Sequence, residues 1–128
     1  MREIKFRVWD WVEKQMCPVI VADFQNPQAR VFCRLPKSGT QGIFSADLMQ
    51  YIGAKDKNGI EIYEGDVIRE HARRNKVDYV IRWSAAACGF VAEPFIAGRI
   101  YPNLNQGTMV HYEVIGNIYE NPELVESN

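Results

Sequence analysis

Residues 55–68, KDKNGIEIYEGDVI, are the most patterned stretch of this chain and set how its second half folds. Asn58-Gly59 is the strongest two-residue signal for a β-hairpin, because both central positions of a type I′ turn need positive φ. Gly65-Asp66 predicts a second sharp turn, which leads into an apolar strand. The stretch therefore predicts a hairpin followed by entry into an antiparallel sheet.

The same stretch contains three acidic residues, Glu61, Glu64 and Asp66, which raise the question of a metal or catalytic site. A calcium loop starting at Asp56 would need an oxygen ligand at its fifth position, where this chain has Ile60. Glu64 and Asp66 could form a carboxylate pair, but the glycine between them is typical of a turn whose acids accept backbone N–H groups. We favour structural use. A metal-dependent hydrolase using Glu61, Glu64 and Asp66 is the alternative.

Alternating or apolar segments bounded by turn signals follow one another along most of the chain. In the central stretch, Ile60 and Ile62 alternate with Glu61, which places the acid on the solvent side of a strand. Pro18 indicates an edge position or a bulge for the second strand. The predicted strands lie at 2–8, 15–24, 29–35, 51–55, 60–63, 66–70, 77–83, 89–94 and 109–119. The fold class is therefore mostly β, as a small barrel or sandwich.

Two short helical segments complete the prediction. SADLMQY, residues 45–51, has Ser45 as a plausible N-cap and is about two turns long. Near the end of the chain, Asn121 and Pro122 fit the N-cap and first position of a last helical turn. The predicted turns and loops lie at 10–14, 26–28, 36–42, 84–89 and 97–107.

Composition and charge set several classes of protein aside. The 128 residues carry a formal net charge of −1, which gives no general attraction for phosphate backbones. Cys17, Cys33 and Cys88 are far apart and lack a metal-binding spacing, so they predict buried thiols in a reducing cytoplasm and no cofactor. No window approaches the roughly 18 apolar residues of a membrane span. We expect a cytoplasmic protein of one domain, or of one domain with a small subdomain.

Motifs of catalysis are missing from the sequence. It contains no GxSxG elbow and no glycine-rich phosphate loop. His71 and His111 are its only histidines, and His111 lies in a predicted alternating strand, where a histidine is more often structural than catalytic. A non-enzymatic protein is therefore the favoured interpretation.

A basic loop at 69–76 is the candidate for nucleic-acid contact. Small β-barrels bind nucleic acid through such loops and neighbouring aromatic rings. The opposing interpretation is a solvated loop whose charge Glu70 and Asp78 neutralise. The residues that would contact nucleic acid are Arg69, Arg73, Arg74 and Lys76.

Trp9 and Trp11 are the candidates for protein contact. They flank Asp10 at a predicted turn, and two tryptophans so placed cannot easily enter one core. An exposed tryptophan commonly marks a protein interface. The alternative is that both rings pack under adjacent loops.

Four blocks of the chain resemble the YopX family, whose members are encoded mostly by bacteriophages and prophages. The blocks are IKFRVWD, LMQYIGAKDKNGIEIYEGDVI, YVIRW followed by GF, and YEVIGNIYENPELV. Ile60, Trp11 and SAAA at 84–87 depart from the family pattern and add apolar surface.

The resemblance implies a β-rich, α+β N-terminal subdomain at 1–50 and a small SH3-like β-barrel at 51–128. It also implies assembly into homo-oligomers, and it lends no catalytic residue, because the family has no assigned activity. The expected function is that of a non-enzymatic accessory protein in the cytoplasm of a bacterial host, which contacts a host or phage protein. Nucleic acid is the alternative partner, and no membrane contact is expected.

Overall fold

The computed structural model describes residues 2–23, 30–35, 39–43, 47–70, 77–95, 100–102 and 104–126. The chain divides into two compact units: an N-terminal unit, Ile4–Gln50, and a C-terminal unit, Tyr51–Asn128 together with Met1–Glu3. Antiparallel strands make up most of both. The predicted mostly β fold is confirmed.

The N-terminal unit is an antiparallel ladder in the order β4-β3-β2-β1-β5. Its strands are β1 (Phe6–Asp10), β2 (Gln15–Asp23), β3 (Arg30–Leu35), β4 (Gly39–Ile43) and the first part of β5 (Asp47–Lys55). Val8 of β1 lies opposite both Cys17 of β2 and Leu48 of β5. A turn at 11–14 joins β1 to β2, one residue shorter than the predicted turn at 10–14, because Asp10 belongs to β1.

The predicted helix at 45–51 is wrong from residue 47 onward, where β5 begins, and Ser45 lies outside the described residues. Residues 47–50 pair with β1. Leu48 and Met49 are adjacent apolar residues, so the sequence lacks the alternation that would have indicated a strand, although in the structure Met49 and Tyr51 are buried and alternate with half-buried neighbours. A two-turn helix depends on tertiary packing, and here pairing with β1 gives the same residues a ladder of backbone hydrogen bonds.

Two other predictions in this unit need correction. Residues 39–42 of the predicted loop, with Ile43, form β4, because the loop's glycines still allow the backbone to pair with β3. Pro18 is not on an edge strand, since β2 lies between β1 and β3. The predicted bulge does occur beside it: the β2–β3 register shifts between Val19 and Val21.

The core of the N-terminal unit is closed to solvent. Its fully buried members are Val8, Cys17, Val31 and Cys33, with Val19, Ala22 and Leu48 packed against them. Burial, and then the neighbouring Cys33, raise the pKa of the Cys17 thiol to about 12. Burial also raises the pKa of Cys33. Both thiols are therefore held neutral inside this core.

We expect one of the three cysteines to react with a maleimide in the folded protein at neutral pH. Cys17 and Cys33 are buried as predicted, but the prediction of a buried thiol is wrong for Cys88, which is exposed in the hairpin loop 85–88. The nucleophile is the thiolate. Intact mass before and after labelling, with labelling in denaturant as the control, measures this directly. Labelling of two or three thiols in the folded protein would contradict the described core.

The same shift predicts how pH acts on stability. The pKa of Cys17 is raised in the folded state, so its contribution is fully present below the unfolded thiol pKa of about 8.5 and is lost as pH rises towards 12. Thermal melts of the wild type and of Cys17→Ala should therefore diverge less in alkaline buffer than at neutral pH.

The C-terminal unit contains an antiparallel sheet in the order β10-β7-β8-β9 and a two-stranded ribbon of β6 with residues 51–55 of β5. Its elements are β6 (Glu61–Tyr63), β7 (Asp66–Glu70), β8 (Asp78–Ser84), β9 (Gly89–Pro94), α1 (Gln106–Met109), β10 (Tyr112–Asn117) and α2 (Pro122–Glu126). Gly53, with φ of +91°, lies where the ribbon register shifts. Among the described residues, strand pairing does not close this sheet into a barrel.

One cluster of side chains forms the core of the C-terminal unit. It comprises Ala54, Ile62, Ile68, Tyr79, Ile81, Ala92 and Met109. Tyr79 meets the rings of Tyr101 and Tyr112 edge-on, at centroid distances of 5.5 and 6.1 Å. Burial raises the pKa of the Tyr79 hydroxyl to about 12.

Helix α1 was not predicted from the sequence. Asn105 and Thr108 form a reciprocal capping box at its start, and Met109 enters the core. The Gln106 amide group accepts from the Lys55 N–H and donates to the Lys55 C=O, both at 2.8 Å, as a neighbouring strand would. His111 consequently lies exposed in the turn after α1 rather than in the predicted strand, which begins at Tyr112.

The predicted last helical turn is confirmed as α2. Its N-cap chemistry differs from the prediction, because Asn121 Oδ1 accepts from the Asn117 N–H at 3.2 Å. A Cβ at Gly116 would lie 2.5 Å from that oxygen and 2.9 Å from Leu124 Cδ1, so only glycine lets α2 pack this closely on β10.

The outer edge of β9 is protected against pairing with a further strand. Ala92 and Tyr101 exchange two backbone hydrogen bonds, at 2.9 and 3.0 Å. Pro94, the next residue facing outward, has no N–H to donate. An edge strand blocked in this way is less able to pair with strands of other protein molecules. None of the helices in the described part of the chain is long and apolar enough to cross a membrane.

Candidate protein-contact surface

The acidic stretch that begins the C-terminal unit is organised around Asp56, which the sequence raised only as the first position of an excluded calcium loop. Its side chain is 3% exposed. Oδ1 accepts from the Asn58 and Ile60 N–H groups at 2.8 and 2.9 Å, and Oδ2 accepts from the Val114 N–H at 2.9 Å. Asp56 thus closes the turn at 56–60 and fastens it to the edge of β10. We call this set of three bonds the Asp56 clamp.

The turn itself differs from the predicted type I′ hairpin. Gly59 has φ of +79°, but Asn58 is not among the described residues with positive φ. The Gly59 N–H donates to the Asp56 C=O at 3.0 Å, and the Asp56 N–H donates to the Ile60 C=O at 2.8 Å. The loop is therefore longer than two residues. The loop is longer because Asp56 Oδ1 accepts from the Asn58 and Ile60 N–H groups and so holds residues 56–60 together as one turn.

Two of the three acids proposed as a metal site, Asp66 and Glu61, accept hydrogen bonds from Tyr63. Asp66 is 2% exposed, and its Oδ2 accepts from the Tyr63 N–H at 2.8 Å. Glu61 Oε1 accepts from the Tyr63 hydroxyl at 3.4 Å. Within the described ranges, no group of three or more His, Cys, Asp or Glu side chains is placed to hold a metal ion. The geometry supports the structural interpretation of Asp66 as a turn acid.

A shared role links all the buried polar side chains of the described residues, which are Asp10, Asp56, Asp66 and Asn117. Each accepts a hydrogen bond from backbone N–H groups in a turn. Burying a polar group is costly unless it is hydrogen-bonded. The most recognisable polar positions of the sequence thus maintain its architecture.

The basic loop is only partly described. The Arg69 guanidinium makes two hydrogen bonds to the Asp78 carboxylate, at 2.7 and 3.0 Å, and the first of these raises the pKa of Arg69. Arg73, Arg74 and Lys76 lie outside the described residues. Nucleic-acid contact through this loop stays a prediction, and Arg69 would have to leave Asp78 to take part in it.

The two candidate tryptophans have different environments. Trp9 is 5% exposed and belongs to the buried residues, whereas Trp11 is 59% exposed. Their rings meet edge to face with centroids 6.2 Å apart. Trp11 Nε1 also donates to Asp47 Oδ2 at 2.9 Å. The sequence predicted that both rings could not share one core, and the structure selects Trp11 for the surface.

The turn that presents Trp11 is itself fixed. Asp10 accepts from the Val12 and Glu13 N–H groups at 3.1 and 3.2 Å. Lys14, with φ of +53°, completes the reversal into β2. Val12, at the tip, is 90% exposed. The result is a rigid turn with two apolar side chains turned outward, which we call the Trp11 turn.

A second apolar projection lies in the C-terminal unit. Trp83 is 56% exposed and packs edge-on against Phe90, its cross-strand partner, with centroids 5.2 Å apart. The loop 85–88 between them is exposed and uncharged. The sequence signal for the exposure of Trp83 is the run SAAAC that follows it, because this run extends the hairpin beyond the core residue Ile81.

Fold and surface together define a class: a small, mostly β protein of two units, whose buried polar groups cap turns and whose apolar side chains project from hairpin tips. A model of the YopX protein family matches residues 5–126. The chain therefore belongs to the YopX family, as the resemblance indicated.

Comparison with solved structures gives a relative over the full length. The crystal structure of protein EF1440 from Enterococcus faecalis is similar to this chain, with 27% identity and a TM-score of 0.67. The match covers 98% of this chain and 99% of that one. Among curated proteins, none matches the chain.

Proposed function

We propose that this chain is a non-enzymatic accessory protein, encoded by a phage or prophage, which acts in the cytoplasm of the bacterial host by binding a protein. One observation carries the proposal: the Trp11 turn presents an exposed tryptophan whose ring is already fixed by Trp9 and Asp47. Tryptophan is enriched among residues that dominate binding energy.

Pre-organisation is the physical reason to favour this surface. Ordering a side chain on binding costs roughly 0.5–1.5 kcal/mol, and a ring held in place avoids much of that cost. A partner that covers Trp11 and Val12 gains the transfer of apolar area from water, at about 25 cal/mol per Å². The partner we infer is a protein with an apolar pocket large enough for one indole ring.

We expect Trp11→Ala to remove the partner that the wild-type protein retains from a lysate of the bacterial host. The physical reason is that a central tryptophan typically contributes at least about 2 kcal/mol, or roughly thirtyfold in affinity. The measurement is affinity capture with quantitative mass spectrometry, followed by titration of the retained protein against purified wild type and variant.

A matched control separates this surface from general apolar stickiness. Ile60 is 51% exposed, but lies in the other unit, and Ile60→Ala should leave capture unchanged. Equal retention by wild type and Trp11→Ala would reject the proposal. If Ile60→Ala reduced retention of the captured protein as much as Trp11→Ala does, the capture would be non-specific adhesion.

We further propose, as the family resemblance implies, that residues 51–128 are an SH3-like small barrel and that copies of the chain assemble into a homo-oligomer. The exposed Trp83 hairpin offers apolar surface for such assembly. Light scattering over a dilution series measures the assembly independently of the capture experiment.

A further inference from the structure

The turn at 56–60 contains the only asparagine of this chain that is followed by glycine. Asn58 and Gly59 are both exposed, and no atom lies within 4 Å of the position that a Cβ on Gly59 would occupy. Gly59 has no side chain to hinder attack by its nitrogen, and no neighbouring atom crowds the position that a side chain would take. We propose that Asn58 is a site of spontaneous deamidation and that its conversion opens the Asp56 clamp.

The reaction needs water and no other reactant. The Gly59 backbone nitrogen attacks Asn58 Cγ and gives up its proton, and the side-chain nitrogen leaves as ammonia, which closes a succinimide ring. Water then adds to one of the two ring carbonyls and breaks its bond to the Gly59 nitrogen. Opening at the side-chain carbonyl gives aspartate, and opening at the main-chain carbonyl gives isoaspartate. In both products one amide has become a carboxylic acid and one ammonia has been released.

The folded turn slows this reaction. The Gly59 N–H donates to the Asp56 C=O at 3.0 Å, and the Asn58 N–H donates to Asp56 Oδ1 at 2.8 Å. Both bonds must loosen before the nitrogen can reach Cγ. Conversion should therefore be slower in the folded protein than in the same protein unfolded by urea.

Deamidation of Asn58 opens the Asp56 clamp in two ways: it introduces a negative charge, and the isoaspartate product lengthens the main chain. Asn58 Nδ2 lies 3.5 Å from Glu113 Oε1, so replacing this amide donor by a carboxylate brings two negative groups together. Isoaspartate also adds one atom to the main chain between residues 58 and 59. Asp56 Oδ1, which accepts from both Asn58 and Ile60, cannot then hold both bonds. The strand edge at Val114 loses its support.

The test is a time course of wild-type protein in mildly alkaline buffer, folded and in urea, with peptide mass spectrometry and thermal melts. We expect the peptide containing Asn58 to gain the mass of deamidation and to separate into two isomers. Peptides containing Asn105 or Asn117, which are followed by glutamine and isoleucine, should stay unchanged. The converted folded protein should melt at a lower temperature than fresh protein.

Asn58→Ser supplies the matched control, because it keeps the turn but has no amide to lose. Its melting temperature should not drift during the incubation. Conversion of Asn58 no faster than that of Asn105 would overturn the site. Conversion without a change in melting temperature, or an equal drift in Asn58→Ser, would overturn the effect on the clamp. Equal rates in buffer and urea would overturn the protective role of the folded turn.

Discussion

Replacing Asp56 with alanine is expected to lower the free energy of unfolding of the C-terminal unit by about 3 kcal/mol. The substitution removes the acceptor for three backbone N–H groups. Leaving a buried donor unsatisfied costs about 1–3 kcal/mol. The Asn58 and Ile60 groups lie in an exposed turn and can recruit water, so the main loss falls on Val114 at the edge of β10.

Two measurements check this expectation. Urea unfolding gives the change in stability, and amide hydrogen exchange should show faster exchange at Val114 than elsewhere in β10. Asp56→Asn keeps one carbonyl acceptor and should cost about half as much, because only part of the clamp is lost. The control is Glu93→Ala, which removes an exposed acid paired with Arg82 at 3.3 Å and should cost less than about 1 kcal/mol. Similar losses for Asp56→Ala and Glu93→Ala would contradict the clamp.

Ile62→Ala is expected to cost about 3 kcal/mol, and Ile60→Ala less than about 0.5 kcal/mol. Ile62 is fully buried in the core of the C-terminal unit, whereas Ile60 is 51% exposed. The two substitutions delete the same atoms two residues apart. The difference between the two changes in the free energy of unfolding therefore measures the loss of packing and the cavity at Ile62, because the chemistry of the substitution is the same.

Urea denaturation of both variants beside the wild type provides the measurement, with an unchanged slope as the condition for comparing midpoints. Equal destabilisation by the two substitutions would mean that Ile60 and Ile62 share one buried face, as their spacing in the sequence suggested. A small effect of Ile62→Ala would contradict its place in the core.

These two residues show where sequence reasoning reached its limit in the central stretch. Alternation placed Ile60 and Ile62 on the same buried face. The alternation rule holds only inside a strand, and β6 begins at Glu61. The Asp56 clamp extends the turn through Ile60, and so removes this residue from the strand. A carboxylate that binds an amide 58 positions away along the chain leaves no local signal.

The wrong predictions elsewhere have the same origin. Residues 47–50 combine a helix-compatible composition with two adjacent apolar residues, Leu48 and Met49, and pairing with β1 makes them part of a strand. Residues 39–43 have the composition of a loop, and pairing with β3 overrides it. In both segments the local preference is weak, so a ladder of hydrogen bonds to a distant strand sets the outcome.

The sequence predicted an exposed tryptophan beside the first turn, but not which of the two tryptophans it is. Two tryptophans beside one turn indicated that at least one would be exposed. Only the fold shows that this is Trp11, because β1 carries Trp9 to a buried position and Asp47 of β5 holds the indole of Trp11. Which ring is exposed to a partner depends on strand pairing, which the spacing of the two tryptophans in the sequence does not reveal.

By itself, the sequence determined the mostly β class, the positions of most strands and turns, the YopX family and the turn role of Asp66. These features follow from local patterns, because alternation, glycine and asparagine act over a few residues. Tertiary structure alone decided the role of Asp56, the exclusion of Ile60 from strand β6, which of the two tryptophans is buried, the strand character of 39–43 and 47–51, and helix α1. Each of these depends on a partner distant in sequence, whose hydrogen bonds or packing outweigh a weak local preference.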